Sequence, residues 1–371
     1  MRSASDVGAV TRKLRVMHVL SSPAAGGAEV YVKDLALAMA AKGHFVAIAF
    51  LSHAHEVGRQ RSYEEIFLGD LLSGGVKVDF IGYKARRNPV FGWTRLRRLV
   101  KEWQPDVVHS HLLYGVLFSA FSAAPVVYTQ HSIKLRLAAW VYRLLLDRVV
   151  DTYVGICAAC VSVLESTSSR PIVRIDNAVS AGRLCRRAGV LSRNTGISLF
   201  STGRLTEPKN YSLLLEAVAK LADLEFSLEI AGEGPLREVL ERQVKELRLS
   251  HRVTLLGNVS DVAERLSRAD IFVMSSAWEG LPIALLEATL TGLPVVVTNV
   301  GGCAEVVHTV GNGLVVDALD AEDLAVALRR LIESGCQRAF FSHNALTYSA
   351  RYGLETAVAL HLSLYADVAD A

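Results

Sequence analysis

Short apolar runs recur along the whole chain, and segments of helical length separate them. In the first half the runs are LRVMHVLSS at 14–22, FVAIAFLS at 45–52, VKVDFIGY at 76–83, DVVHSH at 106–111, PVVYTQHS at 125–132 and TYVGIC at 152–157. The second half repeats the theme with ISLFSTGRL, FSLEIAGEG, RVTLLGN, ADIFVMSS, LPVVVTNVGG and GNGLVV. Between these lie helical patterns such as YSLLLEAVAKLADL, PLREVLERQVKELRL and AEDLAVALRRLIES. Strands separated by helices predict βαβ units and parallel sheets.

The rhythm pauses at 180–196, SAGRLCRRAGVLSRNTG, a polar and basic stretch of weak apolar periodicity that reads as a linker. The expected organisation is α/β, with two facing Rossmann-like domains at 1–183 and 184–353. The amphipathic tail 354–371 is expected to pack back on the first. Doubly wound domains bind ligands at the carboxyl ends of their strands, so a ligand is expected in the cleft between them.

Composition agrees. The chain has 371 residues, 51% of them hydrophobic and 21% charged, enough to bury two cores and far from a disordered composition. Net charge is only +3, but it is unevenly placed: residues 1–190 hold 25 Lys and Arg against 14 Asp and Glu, and residues 191–371 hold 15 against 23. One basic lobe is therefore expected to meet an anionic surface or ligand. The first fifteen residues lack the apolar stretch of a signal peptide, and the uncharged segment 107–133 is broken by His109, His111, Gln130, His131 and Pro125. Neither a signal peptide nor a transmembrane helix is expected. Five cysteines, one pair of them a lone CxxC at Cys157 and Cys160, suggest neither a disulfide framework nor a metal site. A cytoplasmic location fits.

The strongest chemical signal is SSAWEGLPIALLEATLTGLPVVVTNVGGCAEVV at 275–307. A strand ends at Met274, a loop carries Glu279, Gly280, Leu281 and Pro282, and a helix is expected to begin near Pro282. Gly280 admits an anion close to the backbone, and a helix start favours a phosphate. Glu287 follows Glu279 by eight residues, a little over two helical turns, so both carboxylates are expected to point to one end of the site.

This segment resembles the Glu-x7-Glu signature of retaining glycosyltransferases of the glycogen synthase/family 4 type, with the GT-B fold. Further segments match in order: Gly26-Gly27-Ala28-Glu29 after the first strand, DVVHSH ending in His111, Gly203-Arg204-Leu205 with Lys209-Asn210, Gly232-Glu233-Gly234-Pro235, and Gly301-Gly302 with Glu305. The resemblance runs from about residue 14 over nearly the whole chain. It implies that His111 and Glu279 act on the transferred sugar and that Glu287 takes the ribose hydroxyls. Arg204, Lys209, Gly280, Leu281 and Pro282 would hold the diphosphate, and Gly26 and Gly27 would admit diphosphate and sugar. The sequence departs from the family at Asn177-Ala178-Val179-Ser180, where Asn-Gly-Val-Asp is common, so no hinge detail is carried over.

The implied activity is retaining transfer of a hexose or N-acetylhexosamine from a nucleotide diphosphate sugar; the resemblance does not choose the base, and UDP is taken first and GDP second. The acceptor would be a glycan or a lipid-linked acceptor, in cell-envelope polysaccharide or lipopolysaccharide synthesis. With no Asp-x-Asp pair, Arg204 and Lys209 supply the countercharge, and neither metal nor cofactor is expected beyond the donor itself. The histidines stay open: alternation places His109 and His111 on one strand face, so either suits a core position, and His131 is a weaker cleft candidate. Residues 84–103 carry seven cations and one acid, with Trp93, Leu96, Leu99, Val100 and Trp103 as an apolar stripe. An anionic membrane surface is one reading of it, and an ordinary helix with a solvated basic face is the other. No nucleic-acid partner is expected. The alternatives are a nucleotide-sugar epimerase of the same fold and an inactive nucleotide-sugar-binding protein. An NAD-dependent dehydrogenase is disfavoured because no G-x-G-x-x-G with a distal acid follows the first strand.

Overall fold

The structure is a computed structural model that describes residues 12–24, 26–59, 61–135, 138–185, 196–317 and 319–371. Contacts divide the chain into two compact units, one of residues 1–178 with 354–371 and one of Val179–Gly353. Residues 186–195 of the expected linker lie outside the described residues.

In the first unit the order is β1 (Arg15–Leu20), α1 (Gly27–Ala41), β2 (Phe45–Phe50), α2 (Arg61–Ser73), β3 (Lys77–Phe80), α3 (Pro89–Trp103) and β4 (Val107–Ser110). Then come α4 (Leu113–Phe118), β5 (Val126–Gln130), α5 (Ala139–Leu145), β6 (Thr152–Gly155), α6 (Ala158–Thr167) and β7 (Ile172–Arg174). All pairings are parallel, in the order β3-β2-β1-β4-β5-β6-β7. Every expected strand forms. β7 adds one that the pattern did not show, because three residues are too few to display a period.

Local chemistry sets the helix ends. α3 starts where Asn88 accepts a hydrogen bond from the Phe91 amide at 3.0 Å, with Pro89 in the first turn, and it stops at Gln104 in a left-handed conformation. Its Leu96, Leu99 and Trp103 are buried with Met17, Val19 and Ala49 of the sheet. Each such burial is worth about 1.5–3 kcal/mol. The apolar stripe of residues 84–103 thus belongs to the core of its own unit. What faces outward is Lys84, Arg87, Arg97, Arg98 and Lys101.

The second unit runs β8 (Ile197–Thr202), α7 (Tyr211–Ala219), β9 (Phe226–Ala231), α8 (Arg237–Glu246), β10 (Val253–Gly257), α9 (Val262–Arg268), β11 (Ile271–Met274) and α10 (Ile283–Thr291). It continues with β12 (Val295–Thr298), α11 (Cys303–Val310), β13 (Gly313–Val316), α12 (Ala321–Glu333) and α13 (Gly335–Tyr348). The six strands are parallel, in the order β10-β9-β8-β11-β12-β13. The chain then returns to the first unit as α14 (Leu354–Ala369), which packs on α1. Ala357, Val358, His361, Leu362 and Tyr365 are its buried face.

The motif glycines have a packing reason. Gly232 has φ +142, and a Cβ there would stand 2.0 Å from the Gly203 carbonyl oxygen, so Gly232 lets the ends of neighbouring strands touch, while a Cβ on Gly203 would crowd the Lys209 side chain at 3.0 Å. Gly301, at φ +55, lies under the 279–280 backbone: a Cβ would meet the Glu279 and Gly280 carbonyl oxygens at 2.4 and 2.5 Å.

Candidate active site

A doubly wound sheet opens a crevice where its strand order reverses. In the second unit that point lies between β8 and β11. The loop after β8 carries Gly203, Arg204 and Lys209, and the loop after β11 carries Ser276, Glu279, Gly280, Leu281 and Pro282. The two are tied together: the Ala277 amide donates to the Pro208 carbonyl at 2.8 Å, and the Ser275 hydroxyl donates to the Asn210 carbonyl at 3.1 Å. Thr298 fixes the second loop from below through a 2.6 Å bond to the Ser276 carbonyl.

On this frame Lys209 Nζ donates to Glu279 Oε1 at 2.6 Å, and Ser276 Oγ donates to the same oxygen at 2.7 Å. Arg204 stands exposed on the same loop as Lys209. α10 begins after Pro282, which is its cap rather than its first helical residue. Glu279 therefore sits four residues before the helix. The eight-residue spacing does not count turns: the loop positions Glu279, and only Glu287 is placed by helical geometry.

Glu287 is buried, and Arg183 binds it: Nε and Nη2 donate to Oε1 at 3.0 and 2.5 Å. A buried carboxylate needs such a cation. Arg183 sits in a short 3₁₀ turn, Ala181–Arg183, just after the second unit begins. Nothing in SAGRLCRR distinguished it from Arg186 and Arg187 in the sequence. With Oε1 occupied, Oε2 is the oxygen left to accept from a ligand's hydroxyl groups.

The first unit reverses its order between β1 and β4, and there the sequence has assembled histidines. His18 Nδ1 lies 3.1 Å from His111 Nε2, and His111 Nδ1 lies 3.0 Å from His131 Nε2, a three-ring chain. His109 is buried beside it, between Tyr365 at 2.5 Å and Thr129 at 2.6 Å. His361 of α14 faces Tyr31 at 3.1 Å. Burial drives the pKa of His18 and His361 down to about 3 and that of His131 to about 4. His109 and His111 fall well below the usual range, first through burial and then through neighbouring rings, His361 foremost for His109 and His109 foremost for His111. The cluster is therefore neutral at pH 7. His18 and His361 have no distinguishing sequence context; only β1 pairing with β4 and the return of α14 bring them in. Gly26 caps α1 at the end of the loop after β1, and Gly27 is its first residue, so the helix start faces the same crevice end of the sheet.

Ligand atoms of His18, His109 and His111 lie within 4.8 Å of one another, and so do those of His53, His55 and Glu64. Among the described residues no helix is long and apolar enough to cross a membrane. Exposed apolar side chains do occur on α5, where Trp140, Leu144 and Leu145 stand outward beside Arg143.

Known proteins share this architecture. Residues 25–183 match the model of "Glycosyltransferase Family 4", and residues 187–347 match that of "Glycosyl transferases group 1". The UDP-Gal:alpha-D-GlcNAc-diphosphoundecaprenol alpha-1,3-galactosyltransferase of Escherichia coli is 26% identical over 305 residues, 72% of this chain and 77% of the relative. The lipopolysaccharide core biosynthesis glycosyltransferase LpsE of Rhizobium meliloti is 34% identical over 171 residues, 46% of this chain and 50% of the relative. The crystal structure of Anabaena Alr3699/HepE in complex with UDP and glucose superposes with a TM-score of 0.80 at 18% identity, covering 95% of this chain and 99% of that one. Two family models that together span both units, and a fold shared over almost the full length, make this chain a member of the family 4 glycosyltransferases with the GT-B fold.

Proposed function

We propose that the protein transfers a hexose or N-acetylhexosamine from a UDP-sugar to a glycan or lipid-linked acceptor, with retention of configuration and without a metal at the reacting centre. GDP is the second choice of nucleotide. The observation that carries this reading is the pair of carboxylates in the second unit, one held by Lys209 in the crevice loops and one buried against Arg183. Glu287 accepts the ribose hydroxyls through Oε2. Glu279 accepts hydroxyls of the donor sugar, and Lys209, Arg204 and the start of α10 at Gly280, Leu281 and Pro282 neutralise the diphosphate. Gly26 and Gly27 leave room for diphosphate and sugar, and His111 acts on the transferred sugar as a neutral imidazole. In a front-side displacement the acceptor oxygen bonds to the anomeric carbon as the bond to phosphate breaks. The acceptor proton passes to the departing phosphate oxygen. The names of the Escherichia coli and Rhizobium relatives support an envelope glycan as product, and the UDP named with the Anabaena structure supports the nucleotide.

An anionic membrane surface is the proposed partner, and the cytoplasm, peripherally at the inner face of the membrane, the proposed location. The stripe on α3 is buried, so the contact falls instead to Trp140, Leu144 and Leu145 of α5, with Arg143 exposed on the same helix and Arg148 exposed just after it.

Calorimetry with free UDP and with UDP-sugar tests the assignment of the glutamates. UDP keeps the ribose but lacks the transferred sugar, so Glu279→Gln should bind it as wild type does, and Glu287→Gln should bind it more weakly. With donor, Glu279→Gln should lower kcat by about 10–1000-fold, the loss of one charged hydrogen bond of roughly 1.5–4 kcal/mol. Equal UDP affinity in both variants, or a weaker Glu279→Gln, overturns it.

A further inference from the structure

We propose that His53, His55 and Glu64 bind one divalent transition-metal ion, zinc by their chemistry, which staples the loop after β2 to α2. Two imidazoles and one carboxylate are a ligand set that zinc accepts, with a further position left to water. One ligand atom from each of the three already lies within 4.8 Å of the others. Around a zinc ion with bonds of about 2.0–2.1 Å, tetrahedral ligand atoms sit about 3.3 Å apart, so the widest separation closes by about 1.5 Å at most, while His53 Nδ1 and Glu64 Oε1, 2.6 Å apart, open by about 0.7 Å. His55 supplies the closing movement, because it is exposed at the start of the short turn His55–Val57.

The other two ligands are preorganised. Glu64 is buried, only 5% exposed, in the first turn of α2. Its Oε2 accepts the Ala54 amide at 2.8 Å, which aims Oε1 at His53 Nδ1, 2.6 Å away. The His53 ring is stacked on Phe80 with centroids 3.9 Å apart, and its backbone amide is held by Glu56 at 2.8 Å. Such supports around a ligand fix its orientation before the metal arrives. Among the described ion pairs, Glu64 faces no Lys or Arg, only His53. A buried carboxylate calls for a cation, and a metal ion meets that need while drawing in His55. The other histidine trio, His18, His109 and His111, offers no carboxylate. His109 already uses both ring nitrogens there, so a doubly charged ion would be buried without a counter-ion.

The staple stands apart from the transfer reading, which places no role on these three residues. Its test is zinc binding by the full-length protein, stripped with a chelator and titrated against a chromogenic competitor. One tight equivalent is expected. Zinc should raise Tm, since it binds the folded state alone. His55→Ala alters an exposed side chain and cannot disturb the core. Glu64→Gln keeps an acceptor for the Ala54 amide but loses the charge. Each should weaken zinc binding by about 100-fold or more. If Glu64→Gln fails to fold, His55→Ala decides alone. No tight zinc in the wild type, or unchanged affinity in His55→Ala, overturns the proposal.

Discussion

Lowering the pH from 7 to 5 should strip the first unit of much of its stability, because its histidines are buried in the neutral form. The unfolded chain protonates a histidine near 6.5, whereas folded His18 and His361 wait until about 3. Between these values the unfolded state holds the extra proton, so stability rises with pH and falls on acidification. It is fully present above 6.5 and drains away below. From pH 7 to 5 each such group costs about 1.9 kcal/mol, whatever its folded pKa below about 4. His18 and His361 are at most 1% exposed. Together they give about 4 kcal/mol, against a total of about 5–15 kcal/mol for a domain, and the buried His109, shifted in the same direction, adds to the loss. One carboxylate of this unit is shifted too: in Asp147, burial raises the pKa, but hydrogen bonds from Ser169, Ser168 and Tyr153 outweigh it and hold the group below its ordinary value. Three of the four tryptophans, Trp93, Trp103 and Trp140, lie in the first unit. Urea unfolding followed by fluorescence in a Trp278→Phe background therefore reads that unit alone. His361→Asn should lower stability at pH 7 yet lose about 2 kcal/mol less between pH 7 and 5 than its parent. A stability that stays level across this range, or a His361→Asn variant with the parent's full pH dependence, refutes the neutral cluster.

Arg183→Ala should leave Glu287 buried without its cation and weaken UDP binding by about tenfold or more, as loss of a charged hydrogen bond of about 1.5–3 kcal/mol implies, with Arg183→Lys partly restoring it; calorimetry equal to wild type in both variants removes Arg183 from the site. Gly301→Ala forces a Cβ to within 2.4 Å of the Glu279 carbonyl oxygen at a positive φ, so it should cost about 1–3 kcal/mol in thermal unfolding and raise the donor KM, and a wild-type KM counts against that loop placing Glu279. Transfer should proceed in chelator, and the product anomer, read by NMR, should keep the donor's configuration; a rate restored only by Mg²⁺ or Mn²⁺, or an inverted product, defeats the mechanism. Trp140→Ser should reduce flotation with anionic vesicles at low salt, and absence of flotation by the wild type ends the membrane reading.

The strand–helix alternation was written in the sequence because burial of a parallel sheet is a local pattern: VVVT or FVAIAF has no other place to go. The strand ends were legible for the same reason, and with them the loops that carry Gly203 to Lys209 and Glu279 to Pro282. Side-chain partnership was not legible, because it depends on strand order, and the neighbours at each reversal are far apart in the chain. Lys209 meets Glu279 across 70 residues, Arg183 meets Glu287 across 104, and His109 meets Tyr365 across 256. The stripe on α3 shows the same limit from the other side. Its period declared an apolar face, but only the packed unit decided that the face meets Met17 and Val19 rather than lipid. Periodicity records how a residue relates to its own helix or strand; the charge and the protonation state of a site belong to what other elements bring up against it.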